Sequence, residues 1–199
     1  MSKTILYIDG ENLKHYLREV LIKQGIRKDK TNLENFNFAS LFKKVLKGFK
    51  LSEKRFYSAK IKKHKETLKK SEELILKQRV LKTNLEKQGF NVIMGGNVRP
   101  QKIKTDGKVK IIFKEKGVDV KIAVDIVTDA CDKGVQTVVL CSSDSDLQPA
   151  VQEARERKTE IVYMGFEFNP NKGLSYTTNR TILIRNFEVV ETYKEGGKG

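Results

Sequence analysis

Apolar residues along this chain fall into short dense runs that take turns with longer periodic stretches. Residues 3–8, 90–94, 136–141 and 160–164 are dominated by Val, Ile, Leu and Tyr with little alternation. Runs of that length and texture fit strands buried on both faces, as in a parallel sheet. Residues 54–61 alternate instead, with Phe56 and Ser58 opposed to Tyr57 and Ala59. Helical spacing fills the gaps. It places Leu13, Tyr16, Leu17, Val20 and Leu21 on one face of a helix over 11–24, with Gly25 as its stop. Further helices are expected over 38–46, over a basic amphipathic 65–87, over 118–133 and over 146–157, where Pro149 is tolerated in the first turn. Segments 98–104 and 108–113 flank Thr105-Asp106-Gly107, a hairpin signature. Residues 26–37 read as a polar loop and 165–181 as irregular, while 182–184 and 188–190 are short apolar pieces.

Strand and helix in alternation predict α/β architecture: one three-layer, Rossmann-like domain over residues 1–193 with a mainly parallel sheet. Basic elaborations around 43–114, including an inserted basic hairpin, decorate it, and 194–199 are expected to be a flexible tail. There is no internal repeat and no linker-like segment.

Composition narrows the function classes. The chain has 199 residues, 38% hydrophobic and 33% charged, which suits a globular domain with a heavily charged surface. No apolar run approaches the roughly 18–20 residues of a membrane span. The start lacks the layout of a signal peptide, so a cytoplasmic protein without membrane partners is expected. Cys131 and Cys141 are spaced for neither a disulfide framework nor a zinc site, and reduced, buried thiols are expected. His15 and His64 are the only histidines, which argues against a histidine metal site and against a Ser-His or Cys-His nucleophile. No GxxxxGK[ST] loop is present, and Gly95-Gly96 is too little for a phosphate cradle.

Charge is informative because it is lopsided. The net value is +15, and residues 43–82 hold 15 Lys/Arg against 4 Asp/Glu. Such excess draws polyanions, nucleic-acid phosphate first and anionic membrane second, although a merely solvated surface is the plain alternative. Lys60, Lys62, Lys63 and Lys65 follow a strand, and Arg99, Lys102, Lys104, Lys108 and Lys110 lie on the expected hairpin. Both groups are candidate contacts for RNA phosphates, which give affinity rather than sequence choice. Tyr57, Phe90 and Phe113 have the chemistry to stack on bases, but alternation favours the core for each.

Ligands of an open parallel sheet bind beyond the carboxyl ends of its strands. Asp9 directly follows the first strand, and Asp144 and Asp146 follow the 136–141 strand. Asp119 opens the helix that feeds that strand, with Asp125 further along it. Each has an ordinary reading: Asp before a helix is a favoured N-cap, and Asp125 could pair with Lys121 or Lys133. Several carboxylates brought together without cations, however, raise one another's pKa. A divalent ion removes that repulsion, and oxygen donors without His or Cys favour Mg²⁺ or Mn²⁺ over zinc.

The succession Ile8-Asp9-Gly10-Glu11-Asn12, then Lys116-Gly117-Val118-Asp119 with Asp125, then Ser142-Ser143-Asp144-Ser145-Asp146-Leu147-Gln148-Pro149 resembles the NYN domain, a LabA-like branch of the PIN-like nucleases. The resemblance runs from about residue 3 to 190. It implies a PIN-like fold and cleavage of RNA phosphodiester bonds with Mg²⁺ or Mn²⁺. Asp9, Asp119, Asp144 and Asp146 would be the catalytic and metal-binding acids, supported by Asn12, Asp125, Ser142 and Ser143. It also implies RNA as partner and a homodimer. Asn12 is cast as orienting a carboxylate or a phosphate oxygen, and Glu11 as a first-turn acid of its helix. Ser143 stands where the family has glycine, Leu147 where it has phenylalanine, and Asn179 where an aspartate is often found. All of this requires Asp9, Asp119 and Asp144 to meet around one cation. The rival readings are a non-catalytic RNA-binding protein on the same fold, and another phosphoryl-transfer enzyme. A haloacid-dehalogenase-type phosphatase would want aspartate in place of Glu11, and a receiver domain would want paired acids at the first strand.

Overall fold

The period-two rule places odd and even residues of a strand on opposite faces, and the central strands of this chain are apolar at both. In a computed structural model, which describes residues 3–105, 108–132 and 134–196, these strands form the middle of one sheet. The elements run β1 (Lys3–Asp9), α1 (Gly10–Lys23), α2 (Phe38–Val45), β2 (Glu53–Ile61), α3 (Leu68–Lys87), β3 (Asn91–Thr105) and β4 (Lys108–Lys116). They continue as α4 (Val118–Cys131), β5 (Val135–Cys141), α5 (Gln148–Glu156), β6 (Glu160–Phe166), α6 (Lys172–Thr177), β7 (Arg180–Ile184) and α7 (Asn186–Gly196). Strand order is β4-β3-β2-β1-β5-β6-β7. Every pairing is parallel except β3 with β4, the inserted basic hairpin. The architecture is the three-layer α/β one expected.

Each face carries its own core. Leu6 and Ile8, Val139 and Cys141, and Val162, Met164 and Phe166 pack under α1, α2, α3 and α7, through Leu13, Leu17, Leu41, Phe42, Leu85 and Val189. Their neighbours Ile5 and Tyr7, Val138 and Leu140, and Ile161 and Tyr163 pack under α4, α5 and α6, through Ile122, Ile126, Val151, Ala154 and Leu174. Two-sided burial explains the unbroken apolar runs.

Several boundaries differ from the sequence reading. Residues 91–105 form one 15-residue strand rather than two segments. The expected hairpin tip, Asp106 and Gly107, lies outside the described residues, as does Lys133. Residues 165–181 contain α6, and 188–190 belong to α7, which reaches Gly196 and so takes in the start of the expected tail. Residues 197–199 lie outside the described residues. Cys141 is buried as expected, but Cys131 is exposed because it ends α4 on the solvent side; both are free thiols. Among the described residues no helix is long and apolar enough to cross a membrane.

One close approach fixes how α1 leaves the sheet. A Cβ on Gly10 would sit 2.5 Å from the Tyr57 carbonyl oxygen and 2.3 Å from a Phe56 ring carbon. Only glycine lets the helix start against β2, directly after Asp9. Gly10→Ala should therefore lower stability by about 1–3 kcal/mol, the usual cost of overpacking. A urea titration would read this as a lower midpoint at unchanged slope. An unshifted midpoint would mean that β2 yields at no cost.

Candidate active site

From β1 the chain moves outward through β2, β3 and β4, then returns past β1 to β5 and moves outward through β6 and β7. β1 and β5 are therefore the strands between which the winding reverses, and open sheets bind ligands beyond the carboxyl ends of such a pair. Asp9 is the last residue of β1, and Asp144 and Asp146 follow the end of β5. Asp119 arrives from the first turn of α4. That helix can start low over the sheet because β3 has no side chain beneath it. A Cβ on Gly96 would lie 2.3 Å from the Lys116 carbonyl oxygen and 3.0 Å from the Val118 nitrogen. Gly95-Gly96 thus serves packing rather than phosphate.

The loops are tied to one another by short polar contacts. Asp9 is only 9% exposed. Its Oδ1 accepts the Asn12 N–H at 3.1 Å, and its Oδ2 accepts the buried Ser142 hydroxyl at 3.3 Å. Ser142 Oγ accepts the Asp144 N–H at 3.2 Å, and Asp144 Oδ1 accepts the Asp146 N–H at 3.0 Å. Asn12 Oδ1 accepts the Ser143 N–H at 3.0 Å, bridging the β1 and β5 loops. Asn12 therefore orients the neighbouring loop through its side-chain oxygen and the Asp9 carboxylate through its backbone N–H. Ser143, standing in the family's glycine position, is held by the Tyr163 hydroxyl at 3.2 Å and by Asn171, which donates to its carbonyl at 2.9 Å. Asp9 and Asp144 are N-caps, so the ordinary reading of each acid holds alongside its place in the site.

These residues line an open cleft of about 810 Å³ that takes in Asp9, Glu11, Asn12, Asp119, Asp144 and Asp146 on the sheet side. The β3–β4 hairpin forms the facing wall with Arg99, Lys114, Glu115 and Lys116. Burial raises the Asp9 carboxyl pKa, and the charges of Asp144 and Glu11 raise it further; the Asn12 N–H and Ser142 hydroxyl pull the other way. Glu115 is pushed up to about 7, by burial first and then by Glu11 and Asp9, against Lys14 and the Ala59 amide. The acids repel one another, and a cation in the cleft would relieve them.

The donor set is all hard oxygen, which fits Mg²⁺ or Mn²⁺ in chemistry. Its geometry corrects the expectation that Asp9, Asp119 and Asp144 meet around one cation. Among the described residues, no three of His, Cys, Asp and Glu come together closely enough to hold a metal. The side chains fit the manner of Mg²⁺, which keeps several waters and takes one or two carboxylates together with phosphate oxygens. They do not form an all-protein cage.

Other expected residues fall elsewhere. Asp125 does not line the cleft; it accepts the Tyr57 hydroxyl at 2.9 Å and the Lys121 ammonium at 2.5 Å, beneath α4. Asn179 brackets Ile161 at the start of β6, accepting its N–H at 2.9 Å, at the opposite edge of the sheet from the acids. Of the basic candidates whose side chains are described, only Arg99 lines the cleft. Lys60 is exposed near the end of β2 and Lys62, Lys63 and Lys65 are exposed beyond it, with Lys63 paired to Glu72 at 2.8 Å. Lys102 and Lys104 are exposed on β3, and Lys108 and Lys110 lie on β4. Tyr57 and Phe90 are core residues, and Phe113 is half-buried with Lys70 over its ring. The sequence reading missed Lys114, Glu115 and Lys116. The available signal was Glu115 itself, an acid set in an otherwise basic strand.

A family model described as the NYN domain matches residues 3–184. Among solved structures, the crystal structure of a protein of unknown function from Vibrio parahaemolyticus resembles this fold with a TM-score of 0.58 at 20% sequence identity. The likeness covers 92% of this chain and 93% of that one. No curated protein matches the chain.

A carboxyl group whose folded pKa is raised favours the folded state at low pH, and that contribution is lost as pH rises through the folded value. For Glu115 the window runs from its unfolded value near 4.5 up to about 7. In EDTA, wild type should therefore lose about 1–2 kcal/mol relative to Glu115→Gln between pH 5 and pH 8, after allowance for partial solvent screening. Thermal melts of both proteins at the two pH values measure this. Parallel pH dependence would show that Glu115 is not held in a repulsive site.

Proposed function

The chain belongs to the NYN domain family, PIN-like domains of the nuclease type, and on that premise we propose that it is a metal-dependent ribonuclease. The observation that carries the reading is the cleft at the β1–β5 reversal, where Asp9, Asp119, Asp144 and Asp146 face a basic wall. One or two of Asp9, Asp144 and Asp146 on the sheet side, or Asp119 from α4, would hold Mg²⁺ or Mn²⁺ together with phosphate oxygens and water. When bound, the ion supplies an acidified water and charge neutralisation at the scissile phosphate.

The remaining work falls to the chain. Ser142 and the Asn12 amide hold Asp9 in one orientation. Asn12 and Asn171 fix the Ser143 backbone and so the direction of Asp144. Glu115, whose carboxyl is pushed up to about 7, would in its protonated form donate to a phosphate oxygen rather than repel it. Arg99 on the hairpin, with Lys60, Lys62, Lys63, Lys65, Lys102, Lys104, Lys108 and Lys110 further out, would attract the RNA backbone.

The lack of a ready three-carboxylate cage favours a second reading, an RNA-binding protein that keeps the fold without cleaving. Asp144→Asn separates the two. On the ribonuclease reading, it should lower cleavage of a mixed RNA substrate in Mn²⁺ by roughly 100-fold or more while RNA binding in EDTA persists. Equal inertness of wild type and variant in both Mg²⁺ and Mn²⁺, with RNA bound by each, would leave the binding protein.

A further inference from the structure

The β3–β4 ladder sets Arg99 directly opposite Lys114, and Asn97 opposite Lys116. Residues opposed in an antiparallel pair share a face, and so do residues two apart on one strand. Arg99, Lys114 and Lys116 thus stand on one face of the hairpin, where all three line the acidic cleft and all are exposed. Glu115, the acid between the lysines, stands opposite Val98 and alternates with them along β4, although it also reaches the cleft.

Like charges placed directly across a ladder destabilise it. Elsewhere this chain relieves its cations with nearby acids: Lys63 with Glu72, Lys77 with Glu73, Lys82 with Glu86, and Lys121 with Asp125. Among the described residues, the side chains of Arg99, Lys114 and Lys116 have no such hydrogen-bond or ion-pair partner. Three unrelieved cations on one rigid face, with a guanidinium among them, match an oxyanion that accepts several charge-assisted hydrogen bonds. The opposite wall is acidic and would repel a small anion free to wander. A phosphate held in place by its own chain escapes that repulsion.

We propose that Arg99, Lys114 and Lys116 form a binding site for a backbone phosphate of a nucleic-acid strand, next to the phosphate presented to the acids; this rests on the ribonuclease reading and names where the strand leaves the cleft. The hairpin is then the clamp that sets the strand's path.

The test is binding of a fluorescent single-stranded RNA 10-mer to the full chain in EDTA, where turnover plays no part. Arg99→Gln and Lys114→Gln should each weaken binding about three- to tenfold and reduce the salt slope by about one. Lys158→Gln is the control, because Lys158 is exposed and lies just before β6, at the far edge of the sheet; it should leave affinity unchanged. Without ligand, Arg99→Gln should melt about 1–3 °C above wild type as the like-charge pair is removed, a gain that misfolding would not produce. Affinities and slopes equal to those of the control would overturn the site. Release of the RNA by sub-millimolar inorganic phosphate would assign the cations to a free anion and overturn the strand. Absence of cleavage by wild type would count against the ribonuclease reading alone, since this binding is measured without metal.

Discussion

Asp9 is a carboxylate taken out of water among other carboxylates, and the geometry around it is arranged to tolerate that. Burying an unpaired charge costs several kcal/mol unless hydrogen bonds satisfy it. The Asn12 N–H and the Ser142 hydroxyl satisfy one oxygen each. The first is local to the start of α1, but the second reaches Asp9 only because β1 and β5 lie side by side in parallel, from Thr4 opposite Thr137 to Ile8 opposite Cys141. That pairing delivers the Asp9 and Ser142 loops to the same height. A slip of one residue would turn the apolar side chains of β1 to the wrong cores and part Asp9 from Ser142 together. Packing of the sheet and assembly of the site are one constraint.

A second polar layer holds α4, and with it Asp119. Beneath that helix, Tyr7 and Tyr57 stack with ring centroids 5.8 Å apart. Tyr57 donates to Asp125, while Tyr7 and Arg55 both donate to Asp129, and Arg55 also pairs with Glu53. Asp125 and Asp129 are one turn apart on α4, so two anchors fix both its rotation and its position along the axis. Removing one member would strand a buried partner, which is the costly direction for such networks. Asp125, expected beside the metal acids, thus acts on Asp119 through the helix they share.

What the sequence revealed follows from which contacts are local in pattern. Strands buried on two faces announce themselves as unbroken apolar runs, and the acids of the site announce themselves by following those runs. Strand β3 was harder, for a physical reason. Its pairing with β2 shifts register between Ser58 and Ala59, where Met94 gives way to Gly96. A bulge of this kind reverses the side-chain alternation, so 90–94 and 98–104 read as two strands. Helix α6 has six residues and buries one of them, Leu174, too little for a periodic signal. In α7 the buried positions are Val189 and Thr192, and a buried threonine reads as polar. Glu115 stood out as an acid in a basic strand, but nothing local assigned it to the site, because its neighbours Asp9 and Glu11 are about a hundred positions away. Only the return of the hairpin over the sheet brings them together.

The charge distribution sets a conflict that the proposed function must resolve. A chain with net charge +15 attracts a polyanion from a distance, yet the cleft at its centre is lined by acids that repel phosphate at contact. Long-range attraction is screened beyond about 8–10 Å at ordinary ionic strength, so it governs encounter and leaves the last few ångströms to local charges. There, repulsion between the acids and a phosphate must be cancelled by a cation, by protonation as at Glu115, or by both. Cation and nucleic acid then favour each other's binding, and linkage makes the favour mutual. An acidic cleft that is incomplete without its substrate is the expected counterpart of such coupling: the phosphate oxygens supply ligands that the carboxylates alone do not bring together.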